Sequence, residues 1–541
     1  MPHPPDVPLR PARPPGVALD EIVRMTGGRL RGTAPAAPLS GVTHDSRAVR
    51  PGDLYAALPG ATFHGADFAS RAAAAGALAV LTDGPGVDRS GSLDLPIVEV
   101  PAPRAVLGPV ASRIYGHPAQ RLRTFGVTGT NGKTTTAHLL ASALDSCGLR
   151  SGLLGTVGTR VGTRTLPSAR TTPEAPELQA LLAVMVEEQL AAVAMEVSSH
   201  ALSLGRVDGI RYDVAVFTNL SQDHLDFHED MESYFAAKSQ LFTAERAVTG
   251  VVNVGDPYGR RLAQAADIPV VTYCVAGTAG GDPAGGDPAG SDPAGSDSAG
   301  SDSASSVLAA DWRASDIREH GTGSAFVVSG PGGEELECAV ALPGVFNVAN
   351  ALAAIVALVV AGVRPRDAAH GVAGAPHVPG RMEPVDSGAP FRTLVDFAHT
   401  PDALALMLAG LRSADGRLIV VIGCGGDRDR GKRPRMGEAA ARGADIAILT
   451  SDNPRSEDPA EILDQMAAGA SEVPAGTRAE LHVELDRRRA IELGVRLARA
   501  GDVLVVAGKG HETGQEIAGT VIPFDDRSVL RDCLAASEAA Q

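Results

Sequence analysis

Short apolar runs, each closed by glycine, proline or polar residues, recur along the chain and alternate with stretches of helical spacing. Runs at 54–58, 79–81 and 97–100 predict strands, and the alanine-rich 68–75 predicts a helix, together a small α/β unit. Runs beginning at about Arg123, at 191–196 and at 214–218 are apolar without alternation, as strands buried on both faces read, and 176–189 predicts a crossover helix. This second unit is expected to be a doubly wound parallel sheet, closed by a helix of small residues at 349–361. A proline- and glycine-marked hinge at 378–382 follows. Beyond it, runs at 392–396, 418–422, 446–450 and 503–507 alternate with helices, the pattern of a third, Rossmann-like α/β sheet. The expected fold class is therefore α/β in three domains, 17–121, 122–377 and 378–541, after a disordered lead at 1–16.

Composition refines that picture. A chain of 541 residues is too long for one core. Repeated Gly-Gly-Asp-Pro-Ala and Gly-Ser-Asp-Ser-Ala units mark 276–306 as an insert that cannot bury a core, and they offer a metal no fixed geometry. A net charge of -16 argues against a general nucleic-acid or anionic-membrane binder. Five widely spaced cysteines without a C-x-x-C pair suit a reducing cytoplasm. No apolar run is long enough to span a bilayer, so no membrane insertion is expected, and the chain is expected to act as a monomer.

The densest chemical signal is 125–137, an apolar strand running into Gly129-Thr130-Asn131-Gly132-Lys133-Thr134-Thr135 and a helix. Backbone N–H groups freed by the glycines can cradle phosphates, Lys133 can bridge terminal phosphates, and the Thr134 hydroxyl can ligate Mg²⁺. The spacing departs from G-x-x-x-x-G-K-[ST], since Val127 stands six positions before Lys133. Glu196, at the end of another strand, can supply a metal with a carboxylate, and Asn219 ends a third. A Ser/His hydrolase reading of 196–200 lacks the G-x-S-x-G elbow. His224 and His228 have the i,i+4 spacing of a zinc clasp but no glutamate after the first; His228 reads as a core histidine and His224 as a residue at a metal. Lys238, in a helical stretch, would ordinarily be a solvated lysine.

In the third unit the loop 423–435 carries five cationic side chains, which implies an anionic ligand. Asp452-Asn453-Pro454-Arg455 and Gly508-Lys509-Gly510-His511-Glu512 follow two other strand ends. Arg428 and Arg455 can fork carboxylates and Glu512 can hold an ammonium, so an amino acid satisfies the set.

Taken in order, these motifs, with Thr-Gly-Thr-Asn-Gly-Lys-Thr-Thr at 128–135, Asp-His-Leu-Asp at 223–226 and Asp-Phe-Ala-His-Thr-Pro at 396–401, resemble the Mur ligases of peptidoglycan synthesis. The resemblance runs from Val17 almost to the end and is strongest to the branch adding the third residue of the UDP-N-acetylmuramoyl peptide. It implies ATP and Mg²⁺ as cofactors. It implies that Ser46, in Asp45-Ser46-Arg47, contacts the UDP-sugar, and that Thr171, Thr172, Ser198 and Arg206 hold the muramoyl-dipeptide, with Leu204 where the family often has glutamine. ATP is implied at Gly129 through Thr135, with Asn347, Asn350, Arg381 and Asp396. Catalytic roles are implied for Lys133, His224 and Lys238, and metal ligation for Thr134, Glu196, His224 and Lys238 as a carbamate. Diaminopimelate is implied at Arg428, Asp452, Asn453, Pro454, Arg455, Gly508 and Glu512, with Arg455 reading the far carboxylate that lysine lacks. A folylpolyglutamate synthase would share the cradle but not the Asp-Ser-Arg and Asp-Asn-Pro-Arg motifs together. An idle scaffold would have no need of Lys133, Glu196, His224 and Lys238 at once.

Overall fold

The structure, a computed structural model, describes residues 9–91, 93–168, 170–276, 310–320, 323–385, 388–412 and 416–539. The repeat insert expected at 276–306 lies outside them, apart from Ala276. The first sheet contains β1 (Arg29–Arg31), β2 (Gly41–Thr43), β3 (Asp53–Ala56), β4 (Ala79–Thr82) and β5 (Ile97–Glu99), in the order β1-β5-β4-β3-β2. Its helices include Ala69–Ala74 and Pro103–Ile114. Residues 9–16, expected within the disordered lead, are instead packed: Arg10 pairs with Asp53, and the Ala12 and Arg13 amides bond Glu187.

The second sheet has eleven strands. Its parallel heart is β6 (Arg123–Thr128), β7 (Ser151–Leu154), β10 (Ala192–Glu196), β11 (Tyr212–Phe217), β12 (Ala247–Asn253) and β13 (Val270–Val275). The strands β8 (Thr159–Val161) and β9 (Arg164–Leu166) extend one edge antiparallel. At the other edge β14 (Trp312–His320) runs parallel to β13, and β15 (Gly323–Ser329) and β16 (Glu335–Val340) return antiparallel. The expected parallel sheet is present as this heart, and antiparallel strands extend it at both edges. Links such as the one between β14 and β15 are too short to cross over, so those strands can only fold back. The helix expected at 349–361 runs Val345–Val360; it is apolar nearly all round and buried against β12 to β16, where nothing polar has to be solvated.

The third sheet holds β17 (Glu383–Pro384), β18 (Arg392–Asp396), β19 (Leu418–Ile422), β20 (Ile446–Thr450), β21 (Glu480–Glu484) and β22 (Val503–Ala507), ordered β17-β18-β22-β19-β20-β21. A separate hairpin, β23 (Gly514–Ile517) and β24 (Thr520–Pro523), follows. Register places the chemistry at strand ends. β6 lies between β10 and β11, pairing Val127 with Glu196 and Thr128 with Phe217, so Glu196 and Thr218-Asn219 flank the loop after β6. In the third sheet Asp396 pairs with Ala507, which brings Gly508 beside it.

Candidate active site

The loop after β6 is held from both sides before any ligand enters. Gly129 (φ 145°) leaves room that a Cβ would fill, 2.0 Å from Thr218 Oγ1, and a Cβ on Gly132 (φ 84°) would lie 2.2 Å from Asn350 Oδ1. Thr218 Oγ1 donates to Asn131 O (2.6 Å), Asn219 Oδ1 accepts from Asn131 N (2.9 Å), and Asn219 O accepts from Thr130 N (2.9 Å). The helix Lys133–Ser146 then starts with no side-chain cap, so its first N–H groups remain available to an anion.

Two amines converge on one carbonyl: Gly129 O accepts from Lys133 Nζ (2.9 Å) and Lys238 Nζ (2.8 Å). Lys238 is 1% exposed, and its amine also sits 4.6 Å from the Tyr234 ring centre. Burial, then the charge on Lys133, pushes its pKa well below the ordinary lysine value. Burial lowers Lys133 as well, against the opposing pull of Glu196 and Asp223.

Thr134 Oγ1 donates to Glu196 Oε2 (3.0 Å) and accepts from Arg381 Nη2 (2.9 Å). Glu196 Oε1 also accepts from Thr156 N (2.7 Å), and Thr156 Oγ1 reaches Thr171 Oγ1 (3.1 Å). Thr172 Oγ1 donates to Glu196 O (2.8 Å) and accepts from Ser198 N (3.2 Å), while Arg206 Nη1 donates to Thr172 O (3.4 Å). The residues expected at the dipeptide therefore form one network with the phosphate loop. Ser46 lies apart from it in the first sheet's loop, buried and in hydrogen-bond reach of the Tyr55 phenol. Sequence reading missed Glu174, whose carboxylate takes Arg206 Nε (2.8 Å) and, from the first unit, Arg104 Nη1 (3.2 Å).

Oxygen donors suited to a hard cation are present in Thr134 and Glu196. Among the described residues no group of three His, Cys, Asp or Glu side chains is arranged to hold a metal ion by itself. His224 (φ 56°) is near enough to Lys133 and Lys238 for their charges to help burial depress its imidazole. His228 is buried, 5.0 Å from the Tyr234 ring.

Two cavities open between the second and third sheets. The larger, of about 620 Å³, is lined by Asn131, Gly132, Thr135, Asn347, Arg381 and Asp396 among others, with apolar Phe346, Phe397 and Leu406 on its walls. Asp396 is itself occupied: its two oxygens accept from Ala398 N (2.7 Å) and Met382 N (2.8 Å), fixing the hinge. The smaller cavity, of about 230 Å³, brings Arg428, Asp452, Asn453, Arg455, Gly508 and Glu512 together with His224 and Asp223 of the central unit. Pro454 is not on its wall; its carbonyl lies where a Cβ on Gly426 would be, at 1.9 Å, so it packs the two loops together. Of the five cations in 423–435, only Arg428 and Lys432 face this cavity. Arg430 and Arg433 are paired with Glu457, and Arg435 bonds Gln222 across the cleft, so the loop is less positive than its sequence implied.

Arg455 (φ 52°) donates through Nη1 to Gly426 O (2.6 Å), with Nε 3.4 Å from Glu516. Glu512 accepts from Asn453 Nδ2 and from buried Lys509, both at 2.9 Å. Beneath the cavity the fully buried Arg487 pairs with Asp526 and donates to Ser451 O and Ala507 O, the residues just before Asp452 and Gly508. Sequence reading missed Arg487 and Lys509, because their burial depends on partners distant in the chain or on the fold of the turn.

A glycine-lysine-threonine loop at the end of a parallel strand, lining a cavity between two α/β sheets, points to the class: a nucleotide-using enzyme. Comparison narrows it. The chain matches the Mur ligase middle domain at 127–358, the Mur ligase glutamate ligase domain at 380–510 and the Mur ligase family catalytic domain at 38–115. It is 52% identical over 527 residues to the UDP-N-acetylmuramoyl-L-alanyl-D-glutamate--2,6-diaminopimelate ligase of Streptomyces avermitilis, covering 97% of this chain and 98% of the relative. The Streptomyces coelicolor protein of the same name is 52% identical over 528 residues, with the same coverage. A solved structure of a ligase of that name aligns with a TM-score of 0.64 at 32% identity, covering 97% of this chain and 99% of the other. The chain belongs to the Mur ligase family.

Proposed function

We propose that this protein is an ATP-dependent, ADP-forming ligase of the MurE type, adding diaminopimelate to the D-glutamate of UDP-N-acetylmuramoyl-L-alanyl-D-glutamate in peptidoglycan synthesis. The observation that carries the reading is the pairing of the Lys133 loop with the Arg428–Arg455–Glu512 cavity across one cleft, in a chain 52% identical throughout to ligases of that name. The larger cavity would hold ATP, with the N–H groups of 129–135 for its phosphates. Thr134 and Glu196 would hold Mg²⁺, which would supply charge neutralisation for phosphoryl transfer. Lys133 leaves the Gly129 carbonyl to bridge terminal phosphates. Thr171, Thr172, Ser198 and Arg206 orient the dipeptide so that the D-glutamate side-chain carboxylate faces the γ-phosphate. That carboxylate attacks phosphorus, ADP leaves, and the acyl phosphate formed is attacked by the diaminopimelate amine, releasing phosphate. Carboxylate and amine do not condense unaided in water, so closing the cleft also protects the acyl phosphate from hydrolysis. Burial lowers the pKa of Lys238, which favours the neutral amine that carbamate formation with CO₂ requires. Arg455 pairs with the far carboxylate of diaminopimelate and Glu512 with its ammonium. The protein acts as a cytoplasmic monomer.

The test is isotopic. Dipeptide substrate labelled with ¹⁸O in the D-glutamate side-chain carboxylate should yield inorganic phosphate carrying one ¹⁸O per tripeptide formed. Tripeptide with unlabelled phosphate would contradict the acyl phosphate route.

A further inference from the structure

The segment 9–16 links the two parts of the molecule that frame the expected UDP-muramoyl-dipeptide site. At one end Arg10 reaches into the first unit: Nη1 lies 2.5 Å from Asp53 Oδ1, with the two side chains 8% and 1% exposed, and Nη2 donates to Ala48 O (3.3 Å). Asp53 Oδ2 accepts from Arg50 N (2.8 Å), and Ala48 N donates to Asp45 O (3.0 Å). One guanidinium thus holds the turn that carries Ser46 at both its middle and its end. The fit is close, since a Cβ on Gly41 would lie 2.3 Å from Asp53 Oδ1 and 2.7 Å from Arg10 Nη1.

At the other end the strap grips the central unit. Both Glu187 carboxylate oxygens are used, accepting from Ala12 N (2.8 Å) and Arg13 N (2.7 Å), and Leu9 packs on that unit's core. Glu187 is the last residue of the helix Ala175–Glu187. Just before that helix stand Thr172 and Glu174, the latter binding Arg206 and Arg104. The strap and this helix therefore tie the Ser46 turn to the Thr172–Arg206 network by a further polar route, besides Arg104 and the apolar packing of Ala180 and Ala183 on the first unit.

We propose that residues 9–16 are a strap that sets the Ser46 turn against the dipeptide network, with Arg10 as its positioning residue. The proposal rests on the assignment of the UDP-sugar to the Ser46 turn. Arg10 touches no reacting atom, so its loss should change substrate binding and leave phosphoryl chemistry alone.

The experiment is steady-state kinetics on the full chain for Arg10→Ala, Arg10→Lys, Glu187→Gln and Ser46→Ala, varying UDP-muramoyl-dipeptide and ATP separately. Arg10→Ala and Glu187→Gln should raise the KM for the dipeptide substrate about tenfold, the scale of a misplaced binding group, with kcat and the KM for ATP within twofold of wild type. Arg10→Lys, which keeps a cation for Asp53, should recover part of the loss. Dipeptide KM unchanged in both strap variants, or rising in step with the KM for ATP, would overturn the proposal. If Arg10→Ala fails to fold, the exposed Glu187→Gln decides alone. Ser46→Ala separates the two levels: a raised KM there with normal strap variants refutes the strap, whereas no change at Ser46 refutes the site assignment beneath it.

Discussion

The two lysines at Gly129 O divide the work by burial. Lys133 is partly accessible and can swing to a phosphate, while Lys238 is enclosed. Lys133→Ala should lower kcat by at least about 10²-fold, the loss seen when one charge-stabilising donor is removed, with circular dichroism unchanged. Lys238→Met should abolish turnover yet raise the melting temperature. The sign follows from linkage: the folded pKa lies below the ordinary 10.5, so an unfolded chain binds a proton that the fold must shed. That cost shrinks as pH rises, so the stability gain of Lys238→Met should narrow toward pH 10.5, and a gain independent of pH would contradict a lowered folded-state pKa. Arg455→Ala would leave the far carboxylate of diaminopimelate unpaired, a loss of about 2–5 kcal/mol read as a higher KM for that substrate. Residue identity made Lys133 and Arg455 legible as candidates. Nothing local marked Lys238 as buried, and Glu457, which pairs with both Arg430 and Arg433, lies too far along the chain for its pairing to be visible.

Elements matter here through their ends. Apolar runs at 191–196 and 418–422 showed where β10 and β19 end, because strands buried on both faces must be apolar and stop where polar residues begin. The edge strands escaped reading for the opposite reason. In β16, Glu335 and Glu337 alternate with buried Leu336 and Cys338, a period-two signal brief enough to pass for a loop. The positive φ of His224, Met382, Asp427 and Arg455 likewise has no sequence signature, since glycine would have announced it. Gly426→Ala tests how two loop elements share one pocket. Its Cβ would meet the Pro454 carbonyl at 1.9 Å, so the basic loop must part from 452–455. The KM for the amino acid should rise about tenfold or more while the KM for ATP stays near wild type. An equal rise in both would place the effect in folding instead.

At the scale of the whole molecule, polar contacts that join the units include Glu187 and Glu174 between the first and second, and Arg381–Thr134 and Arg435–Gln222 between the second and third, beside shared apolar packing. His224 and Asp223 of the second unit line the smaller cavity together with residues of the third, so that cavity exists only when these units are together. The α/β fold class was legible in the sequence from the strand pattern, but these cross-unit contacts were not, because each pairs residues that only the assembled fold brings close. The central claim is that the assembled cleft joins diaminopimelate, and not lysine, to the dipeptide. It is tested most directly by ADP release with mass detection of the product, from purified protein given ATP, Mg²⁺, UDP-N-acetylmuramoyl-L-alanyl-D-glutamate and either amino acid. Turnover to the tripeptide with diaminopimelate, and at most a trace with lysine, is the predicted result. Comparable turnover with lysine would contradict the role given to Arg455, and turnover with neither would contradict the ligase itself.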